Sequence, residues 1–297
     1  MNRIFTVCFA IIVGLTACDV IDSPYVEPIV GQGDPDPTCV EDAQNADPFD
    51  GVNIQRKVLF TEMTGHKCGN CPKESEKAYD MYTNTYQGRM VFMTLHAGFF
   101  SRTSTKFPTD FTTTVGDELF QTFNPQDAVP FALINRVERE PGVFTHGTDL
   151  WTAAVESEIA KSPSAGIHIK NCYEESDRKL TTVVDILSID ELPANTHLSI
   201  FVVEDGIVDW QKDYRLPRDN QDIEDYVHHY VIRDALNGTW GQPISSEATP
   251  ANRRLTVSYA YTIPDNFNAD NCYIVAFLHN FESRYVYQAE ERRVVEK

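Results

Sequence analysis

An α/β domain followed by an all-β domain is the fold class the sequence predicts, and three observations carry it. From Arg56 to about Ser162, strand-like and helix-like runs alternate. After about Ser164, β-branched and aromatic runs follow one another between turn-rich gaps. Ahead of both, residues 19 to 52 show neither period. A chain of 297 residues is long for one small core and suits two domains of ordinary size.

The chain opens MNRIFTVCFAIIVGLTAC: a basic start, an apolar run from Ile4 to Leu15, then small residues up to Cys18. That run is too short to span a bilayer core of about 30 Å and reads as a secretory leader over residues 1–17. Leu15-Thr16-Ala17-Cys18 resembles a bacterial lipobox, which makes Cys18 the expected lipidated residue and the lipid the membrane anchor. Simple cleavage of a secreted protein is the alternative. Residues 18–52, rich in Pro, Asp and Gly, read as a flexible tether, with an ordered arm around Cys39 and Phe49 as the alternative.

In the first domain, expected over 53–163, RKVLFTEM is a strand and GHKCGNCP a turn. PKESEKAYDMYTNTYQG is a helix, and RMVFMTLHA a second strand. An insertion follows at about 99–124. AVPFALINR and GVFTH then read as strands, and DLWTAAVESEIAKS as a helix. Over 164–297 the runs GIHIKNCY, KLTTVVDILSI, HLSIFVVED, RRLTVSYAYTI, CYIVAFLHNF and RYVYQAEERRV predict an antiparallel sandwich. A helical excursion is expected at about 215–245, with its helix over Asp222 to Leu236.

A net charge of −19, from 44 acidic against 25 basic residues, argues against a nucleic-acid or anionic-lipid footprint. No nucleophile elbow, phosphate loop, dinucleotide fingerprint or zinc-protease helix is present, so hydrolase and nucleotide chemistry receive no support.

The chemistry rests on Cys68-Gly69-Asn70-Cys71. A cysteine in the first turn of a helix has its thiolate stabilised by unpaired N–H groups and the helix dipole, which lowers its pKa below about 8.5. Cys71, three residues on, is placed to close a disulfide with Cys68 and act as the resolving thiol. A structural bridge is the alternative. Metal binding is another, with His66 adding a third soft ligand for copper or zinc.

On these residues the first domain resembles thioredoxin. The dithiol falls between strand and helix, and Val129-Pro130 opens a later strand where thioredoxins carry a cis-proline against the dithiol. Glu62 lies six residues before Cys68, where the resemblance implies a buried carboxyl that moves protons. Lys67 and Asn70 depart from the thioredoxin pattern, which has Trp and Pro there; Lys67 adds positive charge near the thiolate. The lipobox, tether, TGHKCGNCP, VPFALINR and DYVHHYVIRDALNGTWG together resemble the outer-membrane-protein-28-related lipoproteins of Gram-negative bacteria over nearly the whole chain. That family implies an outer-membrane location more firmly than a reaction.

The expectation is therefore a lipid-anchored envelope protein, with a thioredoxin-like domain followed by an immunoglobulin-like β-sandwich. It exchanges disulfides with protein substrates through Cys68, Cys71, Glu62 and Pro130, without cofactor, metal or nucleic acid. The alternative is a non-enzymatic surface lipoprotein that binds a protein or glycan and keeps the CxxC as a bridge. His96 reads as a core histidine, and His228 and His229 as one partly buried and one exposed ring on a helix. Cys172 and Cys272 fall on strands and form a candidate structural disulfide or stay buried thiols; Cys39 is then left in the tether, free or bonded to one of the others, since sequence does not give the connectivity.

Overall fold

The computed structural model describes residues 34–45, 47–124 and 126–296. The leader over 1–17, the lipidation site Cys18 and the first part of the tether lie outside the described residues. The first ordered element is α1 (Pro37–Gln44), with Asp36 as its cap: the carboxylate accepts from Thr38 N at 2.8 Å. This corrects the flexible tether at residues 37–44. A disulfide between Cys39 and Cys172 and burial of Cys39 and Ala43 hold α1 against the body of the protein.

The next elements alternate. β1 (Val58–Thr64) leads into α2 (Cys71–Asp80), which continues as a wider turn to Thr85, and then β2 (Met90–His96). After the insertion come α3 (Thr114–Phe123), β3 (Phe131–Ile134), β4 (Thr145–His146) and α4 (Trp151–Ile159). The rest is strand: β5 (Ala165–Glu174), β6 (Lys179–Ser188), β7 (Thr196–Glu204), β8 (Ile207–Lys212), β9 (Asp222–His228) and β10 (Val231–Ala235). β11 (Gln242–Pro243), β12 (Arg254–Thr262), β13 (Cys272–Asn280) and β14 (Val286–Arg293) complete it. The architecture is mixed α/β with β dominant.

One sheet runs β14-β13-β7-β10-β2-β1-β3-β4, with β11 on β7; a second runs β12-β6-β5; β8 and β9 form a separate ribbon. β1 and β2 are parallel, with Val58 opposite Met90 and Thr64 opposite His96, and β3 is antiparallel to β1. The other side of β2 is taken by β10, with Val231 opposite Thr94. Strands from both sides of the boundary expected at 163/164 thus share one sheet.

The sequence of the joining strands explains why. In β7, Leu198, Ile200 and Val202 face the core under the β12-β6-β5 sheet, whereas Phe201 and Val203 face the core that also holds Phe60, Phe92 and Trp151. β13 divides the same way: Ile274, Ala276 and Leu278 against Val275 and Phe277. Successive side chains point to opposite faces, so a strand covered on both faces must be apolar throughout.

Two expectations fail here for stated reasons. The helix over Asp222 to Leu236 is instead β9 and β10, joined by a turn in which Tyr230 has φ 48°. Ile223, Tyr226, Val227, Val231 and Ile232 are β-branched or aromatic, and local spacing could not show that β2 and β7 offer partners to β10. The Cys172–Cys272 bridge is also absent. Ile167 and Ile169 of β5 face inward, so by alternation Cys172 faces outward, where it meets Cys39. Cys272 lies in the core between the sheets as a free thiol, its pKa pushed up to about 12 by burial.

Candidate functional site

β1 is the inner strand between β2 and β3, and all seven of its residues are buried. It therefore delivers Glu62 to the middle of the sheet, opposite Thr94 on one side and Ala132 on the other. Past its end, GHKCGNCP makes two tight turns, in which Cys68 N donates to Gly65 O at 2.9 Å and Cys71 N to Cys68 O at 3.1 Å. Cys71 is the first residue of α2, followed by Pro72, whose missing N–H costs nothing at that position. Cys68 and Cys71 are joined as a disulfide, and both are buried, at 4% and 0% exposure.

One turn along α2 from Cys71, Ser75 Oγ donates to Glu62 Oε1 at 2.5 Å, while Glu62 Oε2 is buried without a partner. Burial raises the Glu62 pKa to about 8, so the carboxyl holds a proton at neutral pH. A chamber of about 20 Å³, roughly one water in size, is lined by Glu62, Ser75, Thr94, His96, Tyr226 and His228. His96 is fully buried with neither ring nitrogen bonded, and desolvation pushes its pKa well below the ordinary value. His228 is driven to about 4 by the same cause. These imidazoles are neutral.

Beside the pair lies a cleft of about 560 Å³, lined by Gly69, Asn70, Lys73, Val129, Pro130, Tyr214 and Arg215. Pro130 follows a cis bond and forms one wall. A second cavity, of about 770 Å³, lies in and beside the insertion among Arg102, Asp110, Asp117 and Asp127, and no sulfur lines it.

Cys68 and Cys71 are bonded to each other, Pro130 shares a cleft with Gly69 and Asn70 between them, and Glu62 is bonded to Ser75, four residues after Cys71 on α2. His66 Nε2–H donates to Arg102 O at 3.2 Å, and its ring stacks on Phe107. Among the described residues no group of three or more His, Cys, Asp and Glu is placed to hold a metal ion. His96 and His228 face each other with ring centroids 5.4 Å apart, whereas His229 pairs with Asp205 near the surface.

What the sequence reading missed is the ribbon of β8 and β9, which lies over the dithiol. Lys212 N donates to His66 O and Tyr214 N to Gly69 O, each at 2.8 Å, and Gln211 Nε2 donates to Cys68 O at 3.2 Å. One signal was present: Asp205-Gly206 is a turn dipeptide that separates β8 from β7, and Gly206 adopts φ 74°.

The search of curated proteins returned no match. Among solved structures the chain is similar to HBP35 of Porphyromonas gingivalis, with a TM-score of 0.60, 17% identity, and 82% of this chain and 76% of that one covered. At that identity the likeness speaks for the fold alone. It is also similar to a domain of the outer membrane lipoprotein Omp28 from Porphyromonas gingivalis, at 19% identity and a TM-score of 0.29 over 44% of this chain and 88% of that one. The family description "Outer membrane protein Omp28" matches residues 119–297, more than half of the sequence, and the chain belongs to that family.

Proposed function

We propose that this outer membrane protein exchanges disulfides with protein substrates through Cys68 and Cys71. What supports the reading is a CxxC disulfide at the start of α2, with a cleft beside its turn and a buried carboxyl of raised pKa bonded to Ser75 on the same helix. We read β1, α2, β2, β3 and α4 as a thioredoxin-like unit, and the β12-β6-β5 sheet packed on β7 and β13 as immunoglobulin-like. Cys18 is the proposed lipid anchor.

In the reducing direction, the Cys68 thiolate attacks a substrate disulfide, and one substrate sulfur leaves as thiolate and takes up a proton. Glu62, which gave its proton to the Cys71 sulfur when the pair was reduced, takes that proton back. The Cys71 thiolate then attacks Cys68 Sγ, the second substrate sulfur leaves, and the Cys68–Cys71 bond forms. The substrate gains two electrons and the pair loses two. The reverse sequence oxidises a substrate dithiol.

The test is the redox equilibrium of the pair in glutathione buffers, with Cys68→Ser as control. Reversible titration between about −120 and −270 mV, the span of thiol oxidoreductases, is expected. A second reading has one observation in its favour, the near-complete burial of both sulfurs. It makes the pair a structural bridge in a protein that binds a protein or glycan partner. A pair that stays oxidised below about −300 mV, or reacts only on unfolding, supports it and overturns exchange.

A further inference from the structure

The tip of the β8–β9 ribbon, residues 213–221, is a compact loop whose ends meet: Asp213 N donates to Gln221 O at 2.7 Å. Every residue from Tyr214 to Asn220 is exposed, whereas Gln211 and Asp213 at its base are buried. The exposed part therefore has little packing of its own, and what it touches is the dithiol turn. The Tyr214 ring lies on Gly69: a Cβ added there would fall 2.4 Å from the ring, so only glycine between the cysteines lets the ring sit so close. Tyr214 N takes Gly69 O. Arg215 spans from Asp213 to Glu76 on α2, with Nη1 and Nη2 each 2.6 Å from a Glu76 oxygen.

We propose that residues 213–221 are a strap that closes over the Cys68–Cys71 pair, held shut by Tyr214 on Gly69 and Arg215 on Glu76. A partner reaches Cys68 Sγ only when these contacts let go. The inference rests on the exchange reading above, since a strap matters to a pair that reacts. Opening gives up one backbone hydrogen bond, one ring contact and one solvent-exposed ion pair, with little apolar area uncovered. Segments with such sparse packing open locally at far lower free energy than the whole fold. The buried base, with Trp210 against Phe107 and Phe111 against His228, stays in place and makes the loop a strap on a fixed ribbon.

The experiment follows the rate at which dithiothreitol reduces Cys68–Cys71 in the folded full chain, read by mass spectrometry of the alkylated Cys68 peptide. Dithiothreitol supplies both electrons and leaves as its cyclic disulfide. The Tyr214→Ala/Arg215→Ala double variant is expected to react about tenfold faster than wild type, because the open fraction rises by that factor. Glu76→Gln, which loosens the ion pair from the α2 side, is expected to raise the rate less. Arg218→Ala, on the same loop, is expected to leave it unchanged, and all three should keep the wild-type melting midpoint. Equal rates in wild type, the double variant and Glu76→Gln overturn the strap. If the rates rise but the pair never titrates in glutathione buffers, the strap stands and exchange fails; if the pair titrates and the rates do not move, exchange stands and the strap fails.

Discussion

The two disulfides occupy regions of opposite design. Cys39–Cys172 joins residues 133 apart, and packs between α1 and the outer face of β5 and β6 with Ala43 and Val183. Cys68–Cys71 joins residues 3 apart, beside an open cleft and at the start of the helix whose Ser75 bonds Glu62, a carboxyl whose pKa burial raises to about 8. A long closed loop restricts the unfolded chain strongly, and a tight one does so weakly. Glu62 Oε2 and both nitrogens of His96 are buried without partners and line one chamber with Ser75 of α2, the helix that begins at Cys71; other such atoms, three of them on Arg136, lie elsewhere. A fully buried carboxyl next to the helix that carries a CxxC pair is a place to look for chemistry.

The largest expected effect separates the bridges by stability. Loop-closure entropy assigns about 5 kcal/mol to a ring the size of Cys39–Cys172 and about 2 kcal/mol to one the size of Cys68–Cys71. Guanidinium unfolding of Cys39→Ser/Cys172→Ser should show the greater loss, and limited proteolysis should then cut near α1. A greater loss from Cys68→Ser/Cys71→Ser would break the comparison.

Next in size is the pH dependence under the short bridge. Folding raises the Glu62 pKa from 4.5 to about 8, so the folded state holds a proton that the unfolded chain has released. This group's stabilisation is therefore fully present below about 4.5 and is lost as pH rises through about 8, at a slope of up to about 1.4 kcal/mol per pH unit. Glu62→Gln should flatten that slope, as read from unfolding midpoints between pH 5 and 8. An unchanged slope would remove Glu62 from the account.

The sequence made the short bridge legible and the long one not. CxxC spacing, Glu62 on the strand-like run before it and Pro130 opening another strand are local signals, and β1 and β3 are neighbours, with Glu62 opposite Ala132. The Cys39–Cys172 pairing depends on which face of β5 each side chain takes and on α1 returning across the chain, neither of which has a local signature. The ribbon over the dithiol was missed for the same reason. Tyr226, Val227, Tyr230 and Val231 fit a helical face as well as a strand, and only the seats provided by β2, β7 and β8 decide between them.

The smallest effect concerns salt. Arg215 and Glu76 are 43% and 56% exposed, which puts their ion pair at less than about 1 kcal/mol and leaves it open to screening. As ionic strength rises from 0.1 M to 1 M the screening length falls from about 10 Å to about 3 Å, so the strap should loosen and reduction of Cys68–Cys71 should quicken by about two- to threefold. Salt also relieves repulsion between the dithiothreitol thiolate and a chain of net charge −19, which quickens reduction at any sulfur. Glu76→Gln separates the two causes, since it lacks the ion pair and keeps the overall charge nearly as negative. A steeper salt response in wild type than in Glu76→Gln assigns the excess to the strap, and the same response in both assigns all of it to the reductant's approach.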